Sequence, residues 1–198
     1  MLGAFTTGLE EAQYGDEDDI IFCHDDIEVI MTAHSFNAVL DNYLGMANTG
    51  VVGVAGCASL GILNDTANWF SNAYINGQYD FSHGGGLVFH GTTIKDMRAS
   101  YYGFSHKAVL LDGVFLAAKG ATVRSVSFKS PNLLKSKWHN YDSLLTFQTF
   151  KSGKDNRIAP IILLHKSHGD YAREEYHEDS RMFMKLFAQW LPAKVVVD

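Results

Sequence analysis

The sequence contains little cysteine or proline and no long apolar run, and each shortage excludes a class of protein. Among 198 residues there are two cysteines and three prolines, so neither a disulfide-rich fold nor a proline-rich disordered chain is indicated. The formal net charge of −6 comes without a basic stripe, which argues against a nucleic-acid-binding protein, since phosphate contacts demand clustered Lys and Arg. No apolar run approaches the ~20 residues that cross a bilayer.

The two cysteines and the start of the chain indicate a cellular compartment. Cys23 and Cys57 both stand within apolar runs, so we expect two buried free thiols, the alternative being a disulfide between them. The first fifteen residues lack a charged start and a long apolar segment, and no signal peptide is expected. We therefore predict a cytoplasmic protein, with peripheral contact with a membrane left open.

Apolar runs alternate with segments of helical periodicity along the chain. The runs are continuous, as in the buried strands of parallel sheets, and they occupy residues 20–23, 51–58 and 157–165. Apolar residues spaced by three and four predict helices, which occupy residues 6–15, 33–47, 140–153 and 178–193. With 46% hydrophobic residues to form a core, we predict one α/β domain over residues 1–198.

Polar side chains stand where the predicted strands end or break. His24, Asp25 and Asp26 follow the first strand, Asp112 interrupts another, and His165 ends a third. Ligands of open α/β sheets bind beyond the carboxyl ends of strands, so we expect one shared site. The carboxylates suit Mg²⁺ or Mn²⁺, and the histidine nitrogen suits Mn²⁺ better. The alternative is a set of solvated turns.

Two aspartates have both a structural and a functional interpretation. In the stretch WHNYD, His139 and Tyr141 precede Asp142 at a predicted helix start. Asp142 is then either a helix cap favoured by the dipole or a general base beside aromatic rings that suit sugars. Asp112 either caps a tight turn with Gly113 or faces a ligand, because a buried unpaired carboxylate is costly. Spacing alone does not choose between these alternatives.

Six stretches occur in a fixed order between residues 8 and 172. They are FCHDD, GVVGVAG, a later Trp69, LLDGVFLA, WHNYD and IILLHKSHGD. In this order they resemble the streptomycin-biosynthesis-type branch of the family 2 glycosyltransferases. Each stretch is weak alone, and the combination is fairly specific. The resemblance implies a GT-A-like, Rossmann-like mixed sheet, mostly parallel and flanked by helices. The resemblance implies a sheet that is shortened at the N-terminus. In the family, a strand-helix-strand unit that binds the nucleotide base precedes the first matching stretch, and this sequence has no counterpart of that unit.

The resemblance also implies an activity and a set of roles. The activity is metal-dependent, inverting transfer of a sugar from a nucleotide-sugar donor to an acceptor hydroxyl, with Asp142 as the catalytic base. Asp26 and His165 would hold a divalent cation, Mn²⁺ or Mg²⁺. Donor contacts are implied for His24, Asp25, Asp112 and Gly113. Acceptor contacts are implied for Trp69, His139 and Tyr141. The acceptor itself is left open between a glycan, a lipid-linked molecule and a small molecule.

The shortened N-terminus leaves other interpretations in place. A strand edge without its neighbour invites self-association, so a homo-oligomer is one expectation. A non-catalytic carbohydrate-binding protein is the main functional alternative, and it would bind sugar without metal or nucleotide. A metal-dependent hydrolase ranks lower, because it usually needs more ligands at fixed spacing around an activated water. Hydrolysis of a donor without an acceptor would favour it.

Overall fold

Two main β-sheets, one of five strands and one of six, organise the protein. The structure is a computed structural model that describes residues 2–61, 66–126, 140–167 and 174–195. The helices are α1 (Leu2–Glu11), α2 (Ala33–Gly45), α3 (Trp69–Asn72), α4 (Gly120–Ser125), α5 (Tyr141–Lys151) and α6 (Glu174–Leu186), followed by a 3-10 turn (Ala188–Trp190). The strands are β1 (Asp19–Cys23), β2 (Ile27–Val29), β3 (Thr49–Gly53), β4 (Ala55–Cys57), β5 (Ser59–Leu60), β6 (Tyr74–Ile75), β7 (Gln78–Tyr79), β8 (Gly84–His90), β9 (Arg98–Phe104), β10 (Lys107–Ala108), β11 (Leu110–Leu111), β12 (Phe115–Lys119), β13 (Asp155–Ile158), β14 (Leu163–His165) and β15 (Ala193–Lys194).

Most neighbouring strands in these sheets are antiparallel. The five-stranded sheet has the order β1-β12-β3-β13-β10, and the six-stranded sheet has the order β11-β4-β8-β14-β2 with β9 beside β8. Among the strands that the structure describes, only β3 with β13 and β8 with β14 pair in parallel. The prediction of a mostly parallel, Rossmann-like GT-A sheet is therefore wrong, and the fold is a mixed α/β fold rich in antiparallel strands.

The physical reason for this error lies in the apolar runs. The run at residues 51–58 is not one strand: the chain leaves the first sheet after Gly53 and enters the second at Ala55. Short antiparallel strands buried on both faces give the same continuous apolar pattern as parallel strands. The run at 20–23 is also less buried than predicted, since β1 lies at the end of its sheet and only Phe22 within it is buried.

Helices α2, α5 and α6 are the predicted helices that carry much of the core. Helix α2 begins after Thr32, whose hydroxyl accepts the Ser35 N–H, and it packs against β3. Helix α5 packs against β3, β13 and β11, so it contacts both sheets. Helix α6 and the turn after it place Phe183 and Phe187 against Phe147 of α5, with ring centroids 5.5 and 4.9 Å away. No helix within the described ranges has both the length and the apolarity needed to cross a bilayer.

Two of the segments through which the chain passes between the two sheets lie next to each other. Residues 24–26 connect β1 of the first sheet to β2 of the second, and residues 112–114 connect β11 of the second to β12 of the first. The His24 backbone N–H donates to the Val114 carbonyl oxygen at 3.2 Å and joins the two passages. We call these segments the sheet-crossing segments. The Asp112-Gly113 turn thus connects two strands that belong to different sheets.

Candidate functional site

Three side chains converge where the first sheet-crossing segment meets β14. His24 follows β1, Asp26 precedes β2, and His165 ends β14, which pairs with β2. His24 Nδ1 lies 3.3 Å from His165 Nε2, and Asp26 Oδ1 lies 3.8 Å from the first nitrogen and 3.4 Å from the second. All three atoms fall within 4.8 Å of one another. The antiparallel register of β14 on β2 thus brings together residues far apart in sequence.

The chemistry of this cluster fits a bound cation. Asp26 Oδ1 is buried and has no hydrogen-bond partner among the described residues, and an unsatisfied buried carboxylate oxygen is costly. Burial lowers the pKa of His165, which favours the neutral imidazole that coordinates metals. Two imidazole nitrogens with one carboxylate suit Mn²⁺ and other nitrogen-tolerant ions better than Mg²⁺. His24, Asp26 and His165 are therefore the residues that could hold a metal.

Tyr141 connects the cluster to the second sheet-crossing segment. Its hydroxyl donates to the Gly113 carbonyl oxygen at 2.8 Å and lies 3.0 Å from His24 Nε2. A methyl group at Gly113 would overlap this hydroxyl and approach Asp142 Cβ to 3.0 Å. Glycine is needed at this position for space, since only a residue without a side chain allows Tyr141 to come so near.

Asp142 lies in the first turn of α5, beside the same glycine. One carboxylate oxygen accepts the Gly113 N–H at 3.1 Å. Burial, with a smaller contribution from the charge of Asp112, raises the pKa of Asp142 to about 7, while hydrogen bonds from backbone N–H groups act in the opposite direction. Asp142 therefore makes backbone contacts expected of a helix-start residue and also has the pKa of an effective base near neutral pH.

Asp112 and Asp25 occupy the two sheet-crossing segments. The Asp112 side chain accepts the Val114 N–H at 3.0 Å, which is the turn-capping contact that one interpretation of this residue predicts, and the residue keeps partial exposure. Asp25 is exposed at the tip of the turn before β2. The donor-binding roles of Asp25 and Asp112 stay predictions.

Two comparisons, with family models and with curated proteins, identify no relative. No protein-family model matches the chain, and no curated protein matches it. The resemblance to family 2 glycosyltransferases thus stays a prediction that rests on the six stretches of sequence.

The predicted acceptor residues are distributed over two regions. Trp69 is buried at the start of α3 and contacts Tyr102 edge-on, with ring centroids 4.9 Å apart. Tyr141 is also buried and lies against the cluster of His24, Asp26 and His165. His139 lies outside the described residues. These acceptor roles stay predictions.

Two residues that the sequence analysis did not identify connect Trp69 to the cluster. The Tyr102 hydroxyl lies 3.3 Å from His90 Nε2, and the His90 ring lies 5.5 Å from the His165 ring. His90 ends β8, which pairs in parallel with β14, and its Cα partner is His165. The signal was present in the sequence, since LVFHG ends an apolar run in histidine as IILLH does.

The two cysteines do not share one environment. Both are free, but Cys23 is exposed, whereas Cys57 is buried as predicted. The difference arises because β1 is an end strand of its sheet, where alternate side chains face solvent. Burial raises the pKa of Cys57 to about 12, so its thiol is unreactive at neutral pH.

Proposed function

We propose that this protein is a metal-dependent glycosyltransferase that moves a sugar from a nucleotide-sugar donor to an acceptor hydroxyl in the cytoplasm. The observation that carries the proposal is the adjacency of two functional groups. The His24, Asp26 and His165 cluster fits a cation, and Asp142 has a pKa raised to about 7. Both are connected to Gly113, through its N–H to Asp142 and through its carbonyl and Tyr141 to His24.

Each group matches one requirement of sugar transfer. A bound divalent cation would supply positive charge for the departing diphosphate. Asp142 would accept the proton of the acceptor hydroxyl while that oxygen bonds to the anomeric carbon and the bond from that carbon to the diphosphate breaks. A base with a pKa near the working pH is the most effective one for this transfer. Direct displacement of this kind inverts the anomeric centre.

An aromatic surface next to Trp69 supports a carbohydrate acceptor. Ring contacts continue from Trp69 to Phe70, Tyr79, Phe81 and Tyr101, with successive centroids 5.8, 5.3, 5.2 and 5.9 Å apart. Phe81 and Tyr101 are 46% and 48% exposed. Flat rings of this kind bury large areas and carry polar hydroxyls at the tyrosines, which suits the faces of sugar rings.

The test of the proposal is a calorimetric titration with UDP and with GDP, in the presence and absence of Mn²⁺. We expect the parent chain to bind one of the two nucleotides only with Mn²⁺. Asp26→Asn should lose the Mn²⁺-dependent nucleotide binding, because a neutral amide is a poorer cation ligand than a carboxylate. Its circular dichroism spectrum should stay unchanged. Asp41→Asn removes an exposed carboxylate from α2 and serves as the matched control. A folded parent chain that binds neither nucleotide with Mn²⁺ would refute the proposal.

A second candidate function is favoured by the ligand set alone. Two histidines and one carboxylate with open positions are also the ligands of non-haem Fe(II) oxygenases. That function would give Fe(II)-dependent O₂ consumption and no nucleotide binding. Metal analysis of the purified protein together with an oxygen-electrode assay separates the two candidates. We rank the oxygenase function second because it assigns no role to the Asp142 carboxyl, whose pKa is raised to about 7.

A further inference from the structure

The Tyr141 hydroxyl lies between two groups that determine the direction of its hydrogen bonds. It is 2.8 Å from the Gly113 carbonyl oxygen and 3.0 Å from His24 Nε2. A carbonyl oxygen only accepts hydrogen bonds, so the single hydroxyl proton is donated to Gly113. Toward His24 the Tyr141 oxygen then acts as the acceptor, and His24 Nε2 is the atom that carries the proton.

This direction determines which His24 nitrogen can coordinate a cation. A neutral imidazole with a proton on Nε2 has its lone pair on Nδ1. His24 Nδ1 is the atom that faces His165 Nε2 at 3.3 Å and Asp26 Oδ1 at 3.8 Å. The opposite tautomer would place a hydrogen where the cluster needs a ligand. Hydrogen bonds to the remote nitrogen of a histidine commonly set its orientation and tautomer in metal sites.

The surroundings hold Tyr141 in this position. The residue is 4% exposed, and its ring contacts the Phe5 ring edge-on at 5.1 Å between centroids. It is the first residue of α5. The absence of a side chain at Gly113 leaves the space that the hydroxyl occupies. A side chain held on several sides loses little freedom when it makes its hydrogen bonds, so it is suited to positioning a neighbour.

We infer that Tyr141 is a positioning residue of the cation site: through the Gly113 carbonyl it holds His24 as the Nε2–H tautomer, with Nδ1 directed at Asp26 and His165. This role differs from the acceptor contact that the family resemblance implies for Tyr141. The inference rests on the metal site of the proposed function. It adds that affinity for the cation depends on a residue that does not coordinate it.

The test removes the Tyr141 hydroxyl alone. Tyr141→Phe keeps the ring and its contact with Phe5. The matched control is Tyr79→Phe, which removes a hydroxyl that donates to the Tyr102 carbonyl oxygen at 2.7 Å. Two readouts are measured on both variants: the His24 tautomer by ¹⁵N NMR of the metal-free protein at pH 8, and the Mn²⁺ dissociation constant by water-proton relaxation. His24→Gln identifies the His24 signals.

We expect the parent and Tyr79→Phe to show the Nε2–H tautomer at His24, and Tyr141→Phe to show a mixture of both tautomers. Loss of a hydrogen-bond partner of a ligand typically lowers metal affinity about 10- to 100-fold, and we expect a loss of that size for Tyr141→Phe alone. A parent with the proton on Nδ1, or a Tyr141→Phe variant with parental Mn²⁺ affinity, would overturn the inference. A parent with the expected tautomer but no Mn²⁺ binding refutes the proposed function and supports the tautomer assignment.

Discussion

The Asp142 carboxyl makes the stability of this protein depend on pH in a direction opposite to that of an ion-paired carboxylate. Its pKa is about 7 in the folded chain, against an ordinary value of 3.8. Between these values the folded state holds a proton that the unfolded state releases. The contribution of this group is therefore fully present below about pH 4 and is lost as pH rises through about 7. Asp142→Asn removes the titration and keeps an oxygen for the Gly113 N–H.

The magnitude follows from the difference between the two pKa values. A difference of roughly three units corresponds to about 4 kcal/mol at the upper limit, at about 1.4 kcal/mol per unit. Part of the residue reaches solvent, which reduces the penalty on the charged form. We therefore expect Asp142→Asn to be about 2 kcal/mol more stable than the parent at pH 8. The difference should fall to about 1 kcal/mol at pH 4.5, where the unfolded carboxyl has already released most of its proton.

Urea unfolding followed by tryptophan fluorescence measures this difference directly. The free energy of unfolding is determined for the parent and Asp142→Asn at pH 4.5, 6 and 8, with Asp41→Asn as a control for the loss of one exposed negative charge. Other titrating groups are common to the parent and the variant, so their effects cancel in the comparison. If Asp142→Asn differs from the parent in stability by the same amount at all three pH values, the pKa of the Asp142 carboxyl is not raised by burial.

Two further predictions concern transfer and the space at the sheet-crossing turn. Asp142→Asn should bind donor nucleotide as the parent does but transfer sugar at least about 100-fold more slowly, since a general base contributes that much or more. An Asp142→Asn variant that transfers sugar at the parental rate would exclude Asp142 as the catalytic base. Gly113→Ala should destabilise the protein by about 1–3 kcal/mol, measured as a lower urea midpoint, because the methyl group overlaps Tyr141. Gly8→Ala in α1, where an added methyl meets nothing within 4 Å, is its control and should not lower the midpoint.

Part of the fold could be predicted from local pattern. Apolar residues spaced by three and four in residues 33–47 predict a helix, and α2 occupies Ala33–Gly45 with Leu40 and Leu44 buried. Sheet direction is a non-local property, and an apolar run gives no information on which strand lies beside it. The last predicted helix, at residues 178–193, differs in its bounds, because α6 occupies Glu174–Leu186 and a 3-10 turn follows it. Within α6, Met182 remains 39% exposed while Phe183 is buried.

The site was located by strand ends, although the geometry differs from the expected one. His24, Asp26 and His165 come together at a passage between two sheets whose strands pair mostly antiparallel. His90 was not identified from the sequence; it follows three glycines at 84–86 and three apolar residues at 87–89. These glycines form the start of β8, where a methyl on Gly85 or Gly86 would overlap backbone of adjacent segments.

The position of the candidate cation ligands has a consequence for how the two sheets are held together. His24 follows a strand of the five-stranded sheet, whereas His165 ends a strand of the six-stranded sheet. An ion shared by them would be a cross-link between the sheets, and any separation of the sheets would expel it. Binding to the folded state alone adds stability that grows with free ion concentration, about 2.7 kcal/mol at one hundred times the dissociation constant. The resistance of the chain to unfolding would then vary with the metal content of its surroundings.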